Sequence, residues 1–280
     1  MATFNSDTIV SIFAHPDDEV FSVGGTIAQH AAKGRVVAVC ATRGELGEIR
    51  DPSLATRENL GAVREQELLR AYGILGVSDV RFLDYRDSGM DGTEGNQDHR
   101  AFMNADPNEA VGKIVKILRE IGPSAVVTFE ETGGYGHPDH LAVHRFVTEA
   151  FKAASDPNAY PEHGDPIDPG RLFYSGFPRS LMKRMFGRAQ EQNVDVSVFN
   201  ELDIDKLGLP DEALDVVADV AEFLELKTSA MRAHGTQYDE SGPLSQAPEE
   251  VRREFGSHEY FQFGSGVELP EGRPQTSLFA

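Results

Sequence analysis

The chain has 280 residues, of which 40% are hydrophobic, and a formal net charge of −20 from 46 acidic and 26 basic residues. This length and hydrophobic content suffice for a sizeable core, which excludes a chain that is disordered as a whole. The negative charge repels nucleic acids and anionic membrane surfaces, so neither is expected as a partner, and it is also typical of an acidic surface adapted to high salt.

Short apolar segments alternate with longer helical patterns through the first half of the chain. Continuous apolar strands between helices indicate a parallel sheet that is covered on both faces. The sequence therefore predicts an α/β fold with a Rossmann-like, doubly wound, mostly parallel sheet. The predicted strands are 8–14, 36–42, 80–83, 125–129 and 172–177. The predicted helices lie near 20–33, 55–75, 108–121, 138–154 and 210–234.

The second half of the chain has a looser pattern. A loop rich in proline, aspartate and glycine occupies 155–170, and no repeat or domain linker is visible. We predict one domain over 1–280, in which 1–155 form the Rossmann-like core and 156–280 complete or cap it. Because long loops are often functional, two questions stay open: whether 155–170 cover the site, and what 241–280 contribute.

Cysteine content and hydropathy bear on the cellular compartment. The single cysteine, Cys40, lies in the apolar segment VVAVCAT, which excludes an internal disulfide and suits a reducing compartment. No segment reaches the ~20 apolar residues that span a bilayer. These features predict a cytoplasmic protein with a buried thiol. The oligomeric state is left open, including a homo-oligomer.

The first predicted strand ends in the acidic segment HPDDE at 15–19. In a nucleotide-binding fold this turn carries glycines that bind phosphate, whereas three carboxylates repel it, which argues against a nucleotide-dependent enzyme. His15 and Asp18 are three residues apart at a turn into a helix, so their side chains can share a face. Asp17 then points elsewhere, where a carboxylate beside metal-activated water can take its proton. Glu19 is expected behind the site or as a charge at the helix N-terminus.

A second cluster, GYGHPDH at 134–140, follows the fourth predicted strand. In a doubly wound sheet the first and fourth strands are neighbours where the strand order reverses, so the two clusters are expected to meet. Histidines with one carboxylate are typical of a catalytic zinc site. Of His137 and His140, one is expected to bind the metal and the other to stabilise an oxyanion or protonate a leaving amine, with Asp139 orienting one imidazole. His144 is an alternative ligand at i+4 from His140, although a hydrogen bond to a neighbour is its simpler role.

Together, AHPDDE at 14–19 and HPDH at 137–140 resemble the PIG-L or LmbE-like family of zinc-dependent N-acetylglucosaminyl deacetylases. The segments RDSGMDGT at 86–93 and AHGTQ at 233–237 look closest to one branch of that family. This branch deacetylates the mycothiol precursor, GlcNAc-inositol, or cleaves mycothiol conjugates. The resemblance covers roughly 8–240.

The resemblance implies one zinc ion per chain, bound by His15, Asp18 and His140. It also implies that Asp17 is the general base and that His137 stabilises the transition state or acts as the acid. Iron and cobalt suit the same shell of two histidines and one carboxylate, so the metal used in the cell is left open.

Three further residues match positions of the branch. Tyr135 lies where the branch has a mobile tyrosine that assists at the carbonyl, and Arg64 and Asp87 match positions that hold sugar hydroxyls. Arg64 has an alternative role as a helix-surface arginine paired with Glu65 or Glu67, and Asp87 as a turn former.

The expected reaction is removal of an acetyl group from a small amino sugar containing N-acetylglucosamine. Conjugate amidases of the branch carry a lysine shortly after HPDDE, whereas this chain continues VFSVGG, which favours a deacetylase. The alternatives are a metal-dependent amidase acting on a thiol conjugate or another non-sugar amide, and a module that binds metal or ligand without turnover.

Overall fold

Seven strands form one mixed sheet in the described part of the chain. The computed structural model describes residues 8–191, 207–239, 248–272 and 274–279. The strands are β1 Thr8–Phe13, β2 Arg35–Cys40, β3 Asp79–Phe82, β4 Ala125–Phe129, β5 Arg171–Ser175, β6 Val216–Asp219 and β7 His258–Gly266. The helices are α1 Asp18–Ala31, α2 Leu60–Ile74, α3 Pro107–Ile121, a short α4 Gly133–Gly136, α5 Pro138–Ala154, α6 Arg179–Glu191, α7 Leu224–Ala233 and α8 Glu249–Gly256.

The strand order is β3-β2-β1-β4-β5-β7-β6. The first five strands are parallel, with Val10 of β1 in register with Val37 of β2 and Val126 of β4. Strand β7 is antiparallel to both of its neighbours, β5 and β6. Helices α1 and α2 pack against α7, and α3 packs against α5. The predicted α/β class with a mostly parallel sheet is confirmed.

The central strands are apolar because both of their faces are covered. Every residue of β1 (TIVSIF) and of β4 (AVVTF) is buried. Parallel strands between two helical layers lack a solvent face, so their sequences show continuous apolar runs rather than alternation. The carboxyl ends of β1 and β4 therefore hold the following residues in a fixed position.

Helix α3 illustrates how the sequence sets the helix ends. Asp106 is the N-cap and accepts a hydrogen bond from the Glu109 amide at 3.1 Å, and Pro107 occupies the first turn. Gly122 ends the helix in a left-handed conformation with φ 62°, which glycine adopts without steric cost.

The prediction of one helix over 210–234 is wrong. A short 3-10 turn at Asp211–Ala213 precedes strand β6, and the helix α7 begins only at Leu224. Valines favour strands, and the β6 segment alternates between buried and less buried side chains, as expected for a strand that pairs with β7.

The C-terminal part extends the sheet of the N-terminal part. Strands β5, β7 and β6 continue the sheet beyond β4, and the segment EYFQF lies in β7. The assignment of one domain to 1–280 stays a prediction, and 192–206 and 240–247 lie outside the described residues. None of the helices in the described part is long and apolar enough to cross a membrane. The expected cytoplasmic location stays a prediction.

The loop 155–170 lies at the edge of the sheet opposite to the carboxyl ends of the strands, because it leads into the start of β5. The buried guanidinium of Arg119, near the end of α3, holds it there. Arg119 donates hydrogen bonds to six backbone carbonyls, those of Ala153, Ala154, Asp156, Ala159, Tyr160 and Gly164. The loop is therefore a packed structural element and does not cover the carboxyl edge.

Candidate active site

Two clusters of histidines and carboxylates meet where β1 and β4 end. HPDDE follows β1 and runs into the first turn of α1, and HPDH follows β4 and the short α4 and runs into the first turn of α5. The two strands are adjacent and parallel, so both clusters lie at the same edge of the sheet. The ring of Phe129, the last residue of β4, stacks on His140 with the centroids 4.1 Å apart, which fixes the plane of that imidazole.

Three potential ligand atoms converge between the clusters. His15 Nδ1 lies 3.2 Å from His140 Nε2, and the Asp18 carboxylate lies 3.2 Å from His140 Nε2 and 3.4 Å from His15 Nδ1. In a tetrahedral zinc site with Zn–N and Zn–O distances of about 2.0–2.1 Å, neighbouring ligand atoms are roughly 3.3 Å apart. The two Asp18 distances involve different oxygens, Oδ1 for His140 and Oδ2 for His15, and all three separations are close to that value. Two imidazole nitrogens and one carboxylate therefore lie at spacings that suit a shared metal ion.

The hydrogen bonds of the two imidazoles point their lone pairs into this space. His140 Nδ1 donates to the carbonyl of Gly133 at 2.9 Å, and His15 Nε2 donates to the Asp139 carboxylate at 3.1 Å. In the neutral rings His140 Nε2 and His15 Nδ1 are then unprotonated. Two lone pairs at 3.2 Å beside a carboxylate repel one another unless a cation lies between them. The donor set therefore fits a divalent metal.

The local field also favours a cation. Burial lowers the pKa of His15, but Asp87, Asp139 and Asp18 outweigh it and hold that pKa well above its usual range. Burial raises the pKa of Asp18, whereas His140 and His15 lower it, so the net pKa is well below its usual value and the carboxylate is ionised. A site that attracts a proton this strongly also attracts a metal ion.

His137 lies next to His15 and His140, but its Nδ1 is occupied by a hydrogen bond. Its Nδ1 accepts a hydrogen bond from the Asp139 amide at 3.1 Å, so the neutral ring carries its proton on Nε2. Burial lowers the pKa of His137 to about 3, with further lowering by His15 and His140, so the ring is neutral. Its ring centroid is 4.5 Å from that of His15. His137 is thus arranged as a hydrogen-bond donor, although its distances also allow a cluster of three histidines, His15, His137 and His140.

A second group with metal-site spacing, His15, Asp87 and Asp139, is already held by protein donors. The Asp139 carboxylate accepts hydrogen bonds from the amide and the hydroxyl of Ser88, and Asp87 accepts from the Leu46 and Gly89 amides. Such carboxylates orient a ligating histidine from behind. The Asp139 carboxylate therefore orients His15, whereas the Asp139 amide contacts His137.

Asp17 lies at the edge of the cluster in an unusual backbone conformation. Its φ is 110°, which only glycine adopts freely, and residues held in such regions cost about 1–3 kcal/mol. Its carboxylate is 3.4 Å from Nη2 of Arg64. Burial raises the pKa of Asp17 to about 6, against the lowering effect of Arg64. A carboxylate with a pKa near neutrality is suited to proton transfer.

Arg64 is buried at 3% exposure, so its alternative role as a helix-surface arginine is wrong. It donates hydrogen bonds to the carbonyls of Gly44 at 2.8 Å and Pro16 at 2.6 Å. The β2–α2 loop passes so close that a Cβ atom added at Gly44 or Gly47 would lie 2.0 or 2.5 Å from Arg64 Nη1. A side chain at either position would displace the Arg64 guanidinium, which joins the loop to the HPDDE turn.

Tyr135 lies at the mouth of the site, where 45% of it is exposed. Its ring centroid is 5.0 Å from that of His140. Gly134 and Gly136 flank it with φ values of 75° and 86°, which glycine adopts freely. A Cβ atom at either position would meet no atom within 4 Å, so the segment around Tyr135 is surrounded by open space. Its surroundings raise the pKa of the phenol, chiefly by desolvation, so the hydroxyl stays protonated and can donate.

Three further residues are placed by the structure. His144 Nδ1 donates to the Phe129 carbonyl at 2.9 Å, and the ring packs on Tyr174, so the structure does not favour His144 as a ligand. Ser88 and His234 were missed by the sequence reasoning. Both lie in segments noticed for their family resemblance, RDSGMDGT and AHGTQ, but a serine or a histidine in a loop carries no signal of its own contacts.

Comparison with known proteins decides the family. The family described as GlcNAc-PI de-N-acetylase, PIG-L, matches residues 10–151, which include both clusters. A relative from Geodermatophilus obscurus is 38% identical over 288 residues, covering 98% of this chain and 98% of the relative. The chain belongs to the PIG-L family. The predicted PIG-L membership is thereby confirmed.

The PIG-L relatives share one name. The protein from Geodermatophilus obscurus and one from Catenulispora acidiphila are both named 1D-myo-inositol 2-acetamido-2-deoxy-alpha-D-glucopyranoside deacetylase. The second is 37% identical over 272 residues, covering 92% of this chain and 84% of the relative.

Solved structures share the fold of this PIG-L chain at lower identity. N,N'-diacetylchitobiose deacetylase from Pyrococcus horikoshii has a TM-score of 0.62 at 22% identity, covering 92% of this chain and 84% of that chain. A 4-carboxy-2-hydroxymuconate hydratase from Pseudomonas putida has a TM-score of 0.59 at 17% identity, covering 95% and 99%. Because a deacetylase and a hydratase both share the fold, this likeness carries no information on the reaction.

Proposed function

We propose that this PIG-L chain is a zinc-dependent deacetylase that removes the acetyl group from a small molecule containing N-acetylglucosamine. The observation that carries the proposal is the convergence of His15 Nδ1, Asp18 and His140 Nε2 at 3.2–3.4 Å. The His137 ring lies 4.5 Å from the His15 ring, and Asp17 directly precedes Asp18 in the chain. A metal site with a carboxylate and a neutral imidazole donor next to it is suited to hydrolysis of an amide.

His15, Asp18 and His140 would hold the zinc ion, and Asp139 would keep His15 in the ligating tautomer. When bound, zinc polarises the substrate carbonyl and lowers the pKa of water, which makes water a nucleophile near pH 7. Two histidines and one carboxylate leave further coordination positions open, as catalytic zinc sites require.

Asp17 takes a proton from the attacking water, with Arg64 holding its carboxylate 3.4 Å away. The Nε2–H group of His137 donates to the carbonyl oxygen as negative charge develops there. Tyr135 reaches the same oxygen from the mouth of the site. The proton collected by Asp17 passes to the amine as the C–N bond breaks, so that acetate and a free amino sugar leave.

The first candidate substrate is GlcNAc-inositol. Relatives at 37% and 38% identity over nearly the whole chain carry a name that denotes deacetylation of this compound. The assignment of sugar hydroxyls to Arg64 and Asp87 stays a prediction. In the structure both side chains are buried and already bonded to the protein, Arg64 to backbone carbonyls and Asp87 to backbone amides. The missing lysine after HPDDE supports a deacetylase over a conjugate amidase. One lysine from elsewhere in the chain, Lys227, lies close to Gly24 in the segment that follows HPDDE. It is buried and paired with Glu259 at 2.7 Å, so it cannot take the role of the lysine found in the conjugate amidases.

Metal analysis and an acetate-release assay test the proposal. The panel contains GlcNAc, GlcNAc-inositol, GlcNAc-malate, chitobiose derivatives and an amide-linked thiol conjugate. We expect about one zinc ion per chain and the highest kcat/KM for GlcNAc-inositol. Full activity of the metal-free protein would contradict the mechanism. Preferred cleavage of the thiol conjugate would identify an amidase, and metal binding without turnover of any compound would identify a binding module.

A further inference from the structure

The AHGTQ segment, 233–237, is buried next to the site although it contributes none of the residues discussed for catalysis. It follows helix α7, and its side chains His234 and Thr236 are 1% and 0% exposed. Two carboxylates hold it. Glu19 of α1 contacts His234, and Glu67 of α2 contacts Thr236.

The contact with Glu19 leads directly to Asp17. His234 Nε2 donates to Glu19 Oε1 at 3.0 Å, and the other oxygen, Glu19 Oε2, accepts the Asp17 amide at 3.0 Å. Both Glu19 and His234 are 1% exposed. Among the described residues, His234 Nδ1 has no hydrogen-bond partner, so the ring makes a single directed contact, the one to Glu19.

Asp17 needs such support because its backbone is in the left-handed region, with φ 110°. A non-glycine residue there relaxes towards negative φ unless its surroundings hold it. Rotation of this backbone would swing the Asp17 carboxylate away from Arg64 Nη2, which lies 3.4 Å from it. A displacement of about 1 Å in a reacting group can cost on the order of 10²-fold in rate.

We propose that His234 and Glu19 are positioning residues that hold Asp17 in its left-handed conformation, with His234 fixing the Glu19 carboxylate that binds the Asp17 amide. The proposal rests on the proposed function, in which Asp17 is the base. Glu67 provides the contrast. Its carboxylate accepts the amide of Thr236 at 2.8 Å and the hydroxyl at 2.6 Å, and these bonds hold the segment without a link to Asp17.

The test compares three single variants in the zinc-loaded protein. His234→Ala removes the donor to Glu19, His234→Gln keeps a donor in its place, and Thr236→Val removes a buried hydrogen bond of the same segment. We expect His234→Ala to lower kcat for GlcNAc-inositol by about 10–100-fold with KM and zinc content unchanged. His234→Gln should recover most of this loss, and Thr236→Val should keep kcat within about twofold while losing stability. An equal loss of kcat in Thr236→Val would overturn the proposal.

A double-mutant cycle separates positioning from a general effect. In an Asp17→Asn background, His234→Ala should have no further effect on the residual rate, because the group it positions is already inactive. Fully additive losses would overturn the proposal. Amide hydrogen exchange supplies a readout without substrate: protection of the Asp17 amide should fall at least about tenfold in His234→Ala but not in Thr236→Val. If the wild-type protein released no acetate, the proposed function would fail, and the exchange result would still decide the positioning role.

Discussion

His15 Nδ1 lies 3.2 Å from His140 Nε2, although the two residues are 125 positions apart in the chain. The other ring nitrogen of each histidine donates a hydrogen bond to a fixed acceptor, the Asp139 carboxylate for His15 and the Gly133 carbonyl for His140. In the neutral rings the two facing nitrogens both present lone pairs, an arrangement that a proton or a metal ion between them stabilises. The folded chain thus prepares a metal site through hydrogen bonds made outside that site.

Replacing one of these nitrogens should abolish metal binding. We expect His140→Ala to reduce the zinc content from about one per chain to near zero, together with acetate release, because it removes one of three converging ligands. The matched control is His144→Ala, one helical turn further on. That variant loses the hydrogen bond to the Phe129 carbonyl, worth about 1 kcal/mol, and the packing on Tyr174, and it should keep its zinc. Elemental analysis of the folded proteins after dialysis decides between the two results.

Replacement of His137 should reduce turnover without loss of the metal, in contrast to replacement of His140. Its protonated Nε2 makes it a donor, so we expect His137→Ala to retain zinc but to lose about 10²–10³-fold in kcat. Thermal unfolding checks that the variant is folded, and zinc content is measured on the same sample. If zinc were lost along with activity, the cluster of His15, His137 and His140 would be the metal site instead.

Replacement of Asp139 should weaken the binding of the metal ion itself. Its carboxylate accepts the Nε2–H group of His15 and two hydrogen bonds from Ser88, so it fixes the ligating tautomer. We expect Asp139→Asn to weaken zinc binding by about 10–100-fold, measured by competition with a chelator of known affinity. Asp106→Asn, an equal charge change at the exposed N-cap of α3, should leave zinc affinity unchanged. Equal affinities in the two variants would argue against the orienting role of Asp139.

Local sequence patterns sufficed to predict the central parallel strands and the meeting of the two histidine-carboxylate clusters at their carboxyl ends. HPDDE and HPDH follow apolar strands, and the topology of a doubly wound sheet brings strand ends together without knowledge of any side-chain contact. By contrast, the antiparallel pair β6 and β7 depends on long-range pairing, which local patterns do not encode, so the sequence predicted helix at Val216. The burial of Arg64 likewise depends on a loop that passes over it, and its spacing in α2 resembles that of a surface residue.

Arg119 should control the loop 155–170 without affecting catalysis. Its guanidinium donates to six carbonyls, which a lysine ammonium cannot satisfy. We expect Arg119→Lys to increase limited proteolysis within 155–170 several-fold, while kcat and KM stay within about twofold, because the loop lies at the far edge of the sheet. Lys116→Arg, an exposed position on the same helix, is the control for both readouts. A raised KM in Arg119→Lys would indicate that the loop does reach the substrate.

Lys227 and Glu259 should determine the stability of helix α1. The helix is interrupted at Val23, with φ −145°, so its second half begins with free amides, and the buried Glu259 carboxylate accepts those of Gly25 and Thr26 at 2.8 and 2.7 Å. Lys227 neutralises that carboxylate at 2.7 Å.

Lys227→Met leaves the charge of Glu259 buried and unpaired, so we expect the free energy of unfolding to fall by about 3–5 kcal/mol, measured by urea denaturation. The double variant Lys227→Met with Glu259→Gln should lose less, because it removes the unpaired charge and keeps an acceptor for one of the two amides. Zinc content of the folded fraction should stay near one per chain in both variants, because the contacts of Glu259 lie beyond the interruption and Asp18 lies before it. Stability equal to that of the wild type in Lys227→Met would mean that Glu259 needs no cation, and the two amides alone would then account for its burial.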